Sequence, residues 1–479
     1  MNTRQADGLL YENLANHLAG LIDSGGFRSG DRLPSLRKTC VQHGVSTATA
    51  MQAYLTLENQ GLIEARPKSG FFVRSRWSER APEPGLTIPC GKVRKIKSRS
   101  LIGQVFEAAG RTDIIPLGAA CPSPDVLPAE KLSRMLRTVD RQNARRAIMY
   151  DSPPGCEPLR RQIARRSMEG GENLRPDEII TTIGCMEALN LSLRAVAAPG
   201  DIVAIESPTY FGVIESIREL GMRVVEVPMH PRDGMDLDAL EGILGRHKIA
   251  ACFSTPSFNN PLGSCMPDKN RRRLVTLLAR RQIPLIEDDI YGDLYHGPKR
   301  PRTAKSYDKE GLVLLCSSFT KTLAPGFRVG WVAPGRFFDR VLNLKFTNTV
   351  ATPTLPQLAI AEFLQNGGYD RYLRGVRGFY AAQIQRFSEA IAEAFPAKTT
   401  ISRPAGGFVL WVGLPKGCDA LALHEAALAR HISITPGPLF SATPAYRNFI
   451  RITCAHPWTR EIERAIVVLG ELAKQQAVM

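Results

Sequence analysis

Hydrophobic residues change their spacing along the chain, from helical periodicity near the N-terminus to short continuous runs farther on. Apolar side chains recur every three to four positions over residues 9–24 and predict an amphipathic helix. A second helix is predicted over Leu36–His43, with Ser35 suited to cap its start. A third, longer helix is predicted from the Ser46 cap to about Gln60.

Two short apolar segments follow the third helix. Leu62–Arg66 and Phe71–Arg74 predict strands, and Pro67–Gly70 between them predicts a tight turn. Three helices followed by such a hairpin predict a winged helix-turn-helix, whose third helix can enter the major groove of DNA. A small helical domain with a solvated basic face is the alternative interpretation.

Exposed side chains expected on this domain suit contact with DNA. Hydroxyls at the start of the third helix can reach phosphates and base edges. Basic side chains on the second helix and the wing would bind phosphate, which adds affinity rather than sequence choice. The predicted DNA-contacting residues are Arg37, Ser46, Thr47, Thr49, Lys68, Ser69 and Gly70.

The charge of the chain points to an acidic partner. The 479 residues carry a net charge of +16, and residues 1–100 hold 15 Lys and Arg against 8 Asp and Glu. The N-terminal fifth is therefore disproportionately basic. Double-stranded DNA is the expected partner, and a merely soluble basic surface is the alternative.

Composition is that of an ordinary globular protein, with 44% hydrophobic and 23% charged residues. No apolar run is long enough to span a bilayer, and the N-terminus has no secretion signal, so we expect a cytoplasmic protein without a membrane partner. None of the ten cysteines forms a Cys-x-x-Cys pair. Neither a zinc site nor a disulfide framework is predicted.

Residues 77–112 are predicted to be a linker between two domains. Proline and glycine recur in this region and disfavour regular structure. The basic run Lys92–Arg99 suits a solvated tether or contact with the DNA backbone. A DNA-binding domain of residues 1–76 and a larger domain of residues 113–479 are expected on either side.

Helical and strand patterns alternate from about residue 113 onward. The short buried strands are predicted at Ile202–Ile205, Ile249–Phe253, Pro284–Ile286 and Leu312–Leu315. This alternation predicts an α/β domain with a largely parallel sheet. Ligands of such sheets bind beyond the carboxyl ends of the strands, where polar clusters occur in this sequence.

One of these polar clusters has the residues that an aldehyde phosphate cofactor needs. Lys321 can capture an aldehyde covalently, while Ser318, three residues earlier, and Arg328, seven residues later, can reach a phosphate. Pyridoxal 5'-phosphate (PLP) is the usual partner of such a lysine. A surface lysine in a turn is the alternative for this segment alone.

Other parts of such a site follow the other predicted strands. Asp288 can keep a pyridine nitrogen protonated, and Tyr291 or an asparagine after the preceding strand can reach the phenolic oxygen. The helix that starts within Ile183–Leu189 offers free N–H groups to phosphate. Tyr210 can stack on the cofactor, and Arg451 can pair with a substrate carboxylate. Each of these residues alone has an ordinary structural alternative.

The N-terminal domain resembles the GntR family of bacterial winged-helix regulators over about residues 9–74. The segments that carry the resemblance are Gly30–Arg37, Gly44–Ser46, Tyr54–Ile63 and Ser69–Val73. Many members of that family have arginine where this chain has Thr47. Arginine bidentate to guanine is the commonest specific base contact, so we do not assign the family's usual operator preference to this chain, while DNA binding itself is still expected.

The larger domain resembles the class I and II aminotransferases of fold type I over about residues 113–479. The resemblance implies an α/β PLP-dependent transferase fold with a large and a small subdomain. It makes Lys321 the catalytic Schiff-base lysine and Arg451 the substrate-binding residue for an α-carboxylate. The implied cofactor-binding residues are Lys321, Asp288, Tyr291, Asn260, Tyr210, Ser318, Arg328, Cys185, Met186 and Tyr150.

Two details of that resemblance bear on assembly and affinity. Tyr150 resembles the tyrosine that reaches the phosphate from the other subunit, which implies a homodimer with shared sites. Cys185 and Met186 stand where relatives often have a small hydroxyl residue followed by Gln. Backbone donors remain after that change and side-chain donors do not, so we expect weaker cofactor binding.

A GntR-type domain followed by an aminotransferase-like domain resembles the MocR family of transcriptional regulators. The resemblance implies a regulator whose DNA binding responds to PLP, or to its aldimine with an amino acid or amine. It also implies a homodimer, for which domain-swapped heads are one arrangement. The alternatives are a working PLP-dependent aminotransferase with an accessory head, and a binding module with an inactive pocket.

Overall fold

The computed structural model describes the chain except residues 1–9, 24, 25, 28, 29, 61, 67, 68, 75–80, 88, 90, 96–100, 367 and 479. Lys68, predicted to contact DNA from the wing, lies outside the described residues. The chain divides into two compact units, one of residues 1–81 with 385–393 and one of residues 82–384 with 394–479. The boundaries 1–76, 77–112 and 113–479 stay predictions.

The first unit has the predicted order of elements. The helices are α1 (Leu10–Asp23), α2 (Leu36–His43) and α3 (Thr47–Asn59), and the strands are β1 (Ile63–Arg66) and β2 (Gly70–Val73). The two strands pair antiparallel, with Ile63 opposite Val73. The winged helix-turn-helix prediction is therefore confirmed.

Local chemistry sets the ends of these helices. The Ser35 hydroxyl accepts a hydrogen bond from the Lys38 backbone N–H at 3.3 Å, and the Ser46 hydroxyl accepts one from Thr49 at 3.1 Å. Each serine satisfies an N–H that has no partner within its helix. Gly44 ends α2 at φ 64°, a left-handed conformation that glycine adopts readily.

Tyr54 connects α3 by hydrogen bonds to α2 and to Pro34, which lies just before α2. Its side chain is fully buried beside Ala50, Ala53 and Leu57. The phenol donates to the Pro34 carbonyl at 2.8 Å and lies 2.9 Å from the Thr39 hydroxyl of α2. This buried group fixes the position of α3, the predicted recognition helix, relative to α2.

The second unit alternates helices and strands. Its helices are α4 (Leu101–Gly110), α5 (Ala129–Ala147), α6 (Glu157–Ser167), α7 (Gly184–Val196), α8 (Phe211–Glu219), α9 (Leu237–Arg246), α10 (Asp268–Ala279), α11 (Phe338–Thr349), α12 (Thr354–Gln365), α13 (Gly368–Ala394), α14 (Ala420–Leu428) and α15 (Arg460–Val478). Its strands are β3 (Ile115–Pro116), β4 (Ile180–Thr182), β5 (Ile202–Ser207), β6 (Arg223–His230), β7 (Gly234–Met235), β8 (Ile249–Ser254), β9 (Leu285–Asp288), β10 (Val313–Ser318), β11 (Gly330–Ala333), β12 (Thr400–Ile401), β13 (Val409–Gly413), β14 (Ile432–Ser433), β15 (Thr435–Pro436) and β16 (Phe449–Thr453).

A large mixed sheet forms the centre of this unit, in the order β4-β11-β10-β9-β8-β5-β6-β7. Strands β10, β9, β8, β5 and β6 run parallel, and β11 runs antiparallel to both of its neighbours. Strands β5 and β10 are buried along their whole length, as expected for a sheet with packed faces. The predicted largely parallel sheet is confirmed.

A smaller antiparallel sheet, in the order β12-β13-β16-β15, forms a second layer. Strand β3 pairs parallel with β14, placing Ile115 opposite Ile432. The Thr453 N–H donates to the Leu117 carbonyl at 3.0 Å, which continues this association into β16. The beginning and the end of the second unit are therefore held together.

Part of the predicted linker has defined partners within the second unit. The Thr87 hydroxyl donates to the Ser207 carbonyl at 2.7 Å, and the backbone of Arg94 pairs with Val224 on β6. Helix α4 also lies in this region and contributes Val105 to the core. Among the described helices of the chain, none is long and apolar enough to cross a membrane.

Removing the Tyr54 hydroxyl tests how firmly α3 is held. We expect Tyr54→Phe to lower the unfolding free energy of the first unit by about 1–3 kcal/mol, because the Pro34 carbonyl loses its buried donor. Hydrogen exchange of α2 and α3 amides in the full-length protein measures this loss. Tyr11→Phe is the control, since that hydroxyl makes an exposed bond to Glu12. Equal effects of the two variants would contradict the assignment.

Candidate functional site

A cavity of about 420 Å³ lies where the parallel strands end. It contains most of the residues predicted for cofactor and substrate: Cys185, Met186, Tyr210, Asn260, Asp288, Tyr291, Lys321, Arg328 and Arg451. These residues come from segments that are distant in sequence. The sheet brings them together because β5, β8, β9 and β10 end at the same edge.

Lys321 lies three residues beyond the end of β10. Its Nζ donates to the Ala120 carbonyl at 2.6 Å. Desolvation is the largest influence on this amine, and it lowers the pKa of Lys321 below its ordinary value. A lower pKa increases the neutral fraction of the amine, which is the form that attacks an aldehyde.

Asp288 ends β9 inside the same cavity. Its Oδ1 accepts from the Ile290 N–H at 3.1 Å and from the Cys185 thiol at 3.5 Å. Burial raises the pKa of Asp288 to about 6. A cationic ring nitrogen placed against this carboxylate would favour its ionised form, so the site suits a protonated pyridine.

Hydrogen-bonding groups that line the cavity include an unpaired phenol. The Tyr291 hydroxyl is buried without a partner among the described residues, and burial raises its pKa. The Asn260 Oδ1 accepts from Arg451 Nη1 at 3.1 Å. A buried hydroxyl without a partner is costly, so a ligand oxygen is the expected partner of Tyr291.

Arg451 is buried on β16 and is held by fixed acceptors. Its Nη2 donates to the Gly118 carbonyl and to the Thr435 hydroxyl. Its Nε has no partner among the described residues. Burial lowers the pKa of Arg451 to about 10. A buried guanidinium with a free donor suits an incoming carboxylate.

The start of α7 and the Arg328 guanidinium lie together in the cavity lining, where an anion would be favoured. This helix begins at Gly184 with no side-chain cap, so its first N–H groups remain available for an anion. Gly184 has φ 75°, and a Cβ added there would lie 2.6 Å from the Arg328 Nη2. The guanidinium is thus packed against the helix start, and both features favour a phosphate.

These observations fit PLP. An anion cradle, a carboxylate, an unpaired phenol and a desolvated lysine line one cavity. The Cys185 thiol is buried, and desolvation raises its pKa well above the ordinary value. The un-ionised thiol is a poor nucleophile.

Two predicted cofactor residues do not line this cavity. Ser318 is buried at the end of β10 and its hydroxyl accepts from the Thr320 N–H at 3.3 Å. Tyr150 lies in the segment after α5 and its side chain is 84% exposed. Both roles stay predictions, and that of Tyr150 requires a second subunit.

The cavity also contains residues that sequence reasoning missed, notably Val105, Ala119, Ala120 and Cys121. For Val105 a signal existed, since apolar residues recur at helical spacing over residues 101–109 of the predicted linker. For Ala119–Cys121 no local signal existed, because the pairing of β3 with β14 places them.

Glu206 is a further residue that the sequence did not reveal. It is buried at the end of β5, where it accepts from the Thr255 N–H at 3.0 Å and from the Asn259 amide at 2.7 Å. Burial raises the pKa of Glu206 to about 7. These bonds fix the segment that presents Asn260 to the cavity.

The predicted DNA-contacting residues of the first unit lie on α2, α3 and the wing. Arg37, Ser46, Thr47 and Ser69 are exposed, and Gly70 begins β2 at φ 100°. The Thr49 hydroxyl is 2.8 Å from that of Ser46, so this pair caps α3 as well as facing outward. DNA contact by these residues stays a prediction.

Comparison with known families gives two matches, one to the N-terminal part of the chain and one to the larger C-terminal part. The aminotransferase class I and II family matches residues 116–469. The gntR family of bacterial regulatory proteins matches residues 10–73. The first of these matches alone covers most of the chain.

Individual relatives follow the same two patterns. The chain is 39% identical to an uncharacterised HTH-type transcriptional regulator of Escherichia coli K12, YjiR, over 96% of this chain and 98% of the relative. It is 31% identical to a 2-aminoadipate transaminase of Thermus thermophilus, over 78% of this chain and 94% of that protein.

A solved structure supports the fold of the larger domain. The α-aminoadipate aminotransferase LysN of Thermus thermophilus, complexed with N-(5'-phosphopyridoxyl)-L-leucine, superposes with a TM-score of 0.74 at 29% identity. The match covers 80% of this chain and 96% of LysN. The chain therefore belongs to the aminotransferase class I and II family, with the PLP-dependent fold type I, and its gntR-type head gives it the MocR-type architecture.

Proposed function

We propose that this protein is a transcriptional regulator whose binding to double-stranded DNA responds to PLP, alone or together with an amino acid or amine. The observation that carries the proposal is that one chain contains both a winged helix-turn-helix and a cavity lined by most of the predicted cofactor groups. Regulator relatives that share both parts over nearly their full length support it. We expect the protein to act in the cytoplasm.

Different residues of the cavity bind the cofactor and the effector. Lys321 provides the amine, Asp288 holds a proton at the ring nitrogen, and Arg328 with the start of α7 binds phosphate. Arg451 binds the α-carboxylate of an effector. When bound, PLP supplies an aldehyde that captures amines, so the cavity can report on amine-containing molecules.

A response of DNA binding requires two arrangements of the protein with different affinities for the ligand. A ligand can shift that equilibrium only by as much as it prefers one arrangement. The basic head supplies the electrostatic part of DNA affinity, which falls steeply with salt.

A homodimer completes the proposal. Ile148, Met149 and Tyr150 follow α5 and are exposed at 84%, 67% and 84%. Together with residues 351–356 they line an open pocket at the surface. An apolar group of this kind is typical of a surface that another chain covers. Tyr150 would then reach the phosphate bound by the other subunit.

The decisive experiment measures binding to the DNA upstream of the protein's own gene, with and without PLP. We expect salt-sensitive, sequence-specific binding that PLP changes by about fivefold or more. Lys321→Ala should keep DNA binding and lose the PLP response. Lys309→Ala, an exposed lysine outside the cavity, should behave like wild type. DNA affinity unchanged by PLP in wild type would rule out the sensor.

A working aminotransferase is the second candidate, favoured by Lys321, Asp288 and Arg451 in one cavity. Multiple turnovers with an amino donor and a keto acid, together with no specific DNA binding, would establish it instead. Lys321 would act as the base for proton transfer in that case.

Blocking the anion cradle should weaken cofactor binding. Gly184→Ala places a Cβ 2.6 Å from the Arg328 guanidinium. We expect the Kd for PLP to rise about tenfold or more, because a lost hydrogen bond to a charged group costs about 1.5–3 kcal/mol. Absorbance titration with PLP measures it. Gly200→Ala is the control, since Gly200 also has positive φ but no atom near its added Cβ. A similar loss in the control would contradict the cradle.

A charge within the exposed apolar segment should disrupt the dimer. We expect Met149→Asp to shift the protein toward monomers, because the interface would bury an unpaired carboxylate. Sedimentation velocity measures the shift. Met168→Asp is the matched control, since Met168 is exposed to 65% and lies outside this segment. A wild type that sediments as a monomer would refute the homodimer.

A further inference from the structure

Under the proposed function, every charged group of the cavity already binds either the cofactor or the α-carboxylate of the effector. Asp288, Lys321, Arg328 and Arg451 are the acidic and basic side chains among its described lining residues, and each has a role in the proposed function. No other described lining residue is Asp, Glu, Lys, Arg or His. A second charge on an effector would therefore meet no opposite charge in this chain.

The remaining described lining residues carry no charge. Most are apolar, notably Val105, Ala119, Ala120, Cys121, Leu189 and Phe211, here called the side-chain wall, and Thr255 and Thr320 add neutral hydroxyls. Val105 is 4% exposed and belongs to the same hydrophobic cluster as Phe211. The whole helix that carries Val105 has one ionisable residue, the exposed Glu107, so this helix brings no cation to the wall.

The segment Ala119–Cys121 lies between the two groups that would hold an amino acid. Gly118, immediately before it, accepts from Arg451, and Ala120 accepts from Lys321 Nζ at 2.6 Å. An amino acid with its carboxylate at Arg451 and its amine near Lys321 therefore lies against this segment. The segment Ile148–Tyr150, proposed to reach the other subunit, is also uncharged.

We propose that the effector of this cavity is an α-amino acid with an uncharged, apolar side chain, and that Val105 is a specificity-determining residue for it. The inference rests on the proposed PLP site. Burying an unpaired carboxylate or ammonium against the side-chain wall is unfavourable, so dicarboxylic and dibasic amino acids should bind more weakly. An apolar side chain gains from leaving water at the same wall.

The test is direct binding to the PLP-loaded, full-length protein, without DNA. L-Leucine, L-phenylalanine, L-glutamate and L-lysine are titrated, and the absorbance of bound PLP and the heat of binding give each Kd. We expect leucine or phenylalanine to bind at least about tenfold more tightly than glutamate or lysine, because only the latter bury an unpaired charge. Glutamate binding as tightly as leucine, or no binding of any amino acid, overturns the inference.

Reversing the polarity of the wall provides the sharper test. Val105→Arg should weaken leucine binding and strengthen glutamate binding, because the wall then offers a cation to the second carboxylate. Gly103→Arg is the matched control: it adds the same charge to an exposed position of the same helix, with open space around its Cβ. The control should keep the wild-type order. An unchanged order in a folded, PLP-loaded Val105→Arg protein overturns the role of Val105.

A milder variant covers the case in which Val105→Arg does not fold. Val105→Ala should weaken leucine binding by about tenfold, since removing methyl groups from an apolar pocket costs about that much discrimination. Unchanged leucine binding would refute contact with Val105.

Failure of this inference and failure of the proposed regulator differ in their outcomes. Leucine binding, with a DNA affinity that neither PLP nor leucine changes, supports the inference and refutes the regulator. A DNA affinity that changes with PLP, in a protein that binds no amino acid, supports the regulator and refutes the inference.

Discussion

Parallel pairing of β5, β8, β9 and β10 is the constraint on which the cofactor site depends. The register places Asp288 on β9 opposite Cys316 on β10, only five residues before Lys321. Backbone hydrogen bonds thus set the spacing between the carboxylate and the amine, and buried Glu206 and Glu287 tie the following loops to the same edge. Because this frame is rigid, the desolvation that alters the pKa values of Lys321 and Asp288 is built in before any ligand arrives.

Much of this arrangement could be predicted from the sequence, since it depends on local signals. Serine caps and Gly44 give the bounds of α2, and apolar runs give the buried strands. Lys321, Asp288 and Arg328 stand at fixed distances from strand ends, so an α/β interpretation brings them together. The positions of these charged residues relative to the strand ends are therefore the main basis for predicting PLP as the cofactor.

The parts that could not be predicted depend on contacts between distant segments. Ala119–Cys121 enters the cavity only because β3 pairs with β14, more than 300 residues later. Helix α4 lies in a region whose glycines and prolines indicated a linker, so it was not predicted. Its Val105 belongs to the side-chain wall. A charged residue near a strand end can be recognised from a short stretch of sequence. The apolar residues of the side-chain wall cannot, because only the folded chain brings them together.

The same late pairing has a consequence for synthesis on the ribosome. The hairpin and helices of the head are complete within the first 73 residues, so their contacts can form while the rest of the chain is still being made. Arg451, its partner Gly118 and the pairing of β3 with β14 can meet only near the end of translation. A nascent chain thus carries a finished winged helix-turn-helix before Arg451 has reached the cavity. Under the proposed function, the head would be able to bind DNA during that interval without any control by an effector.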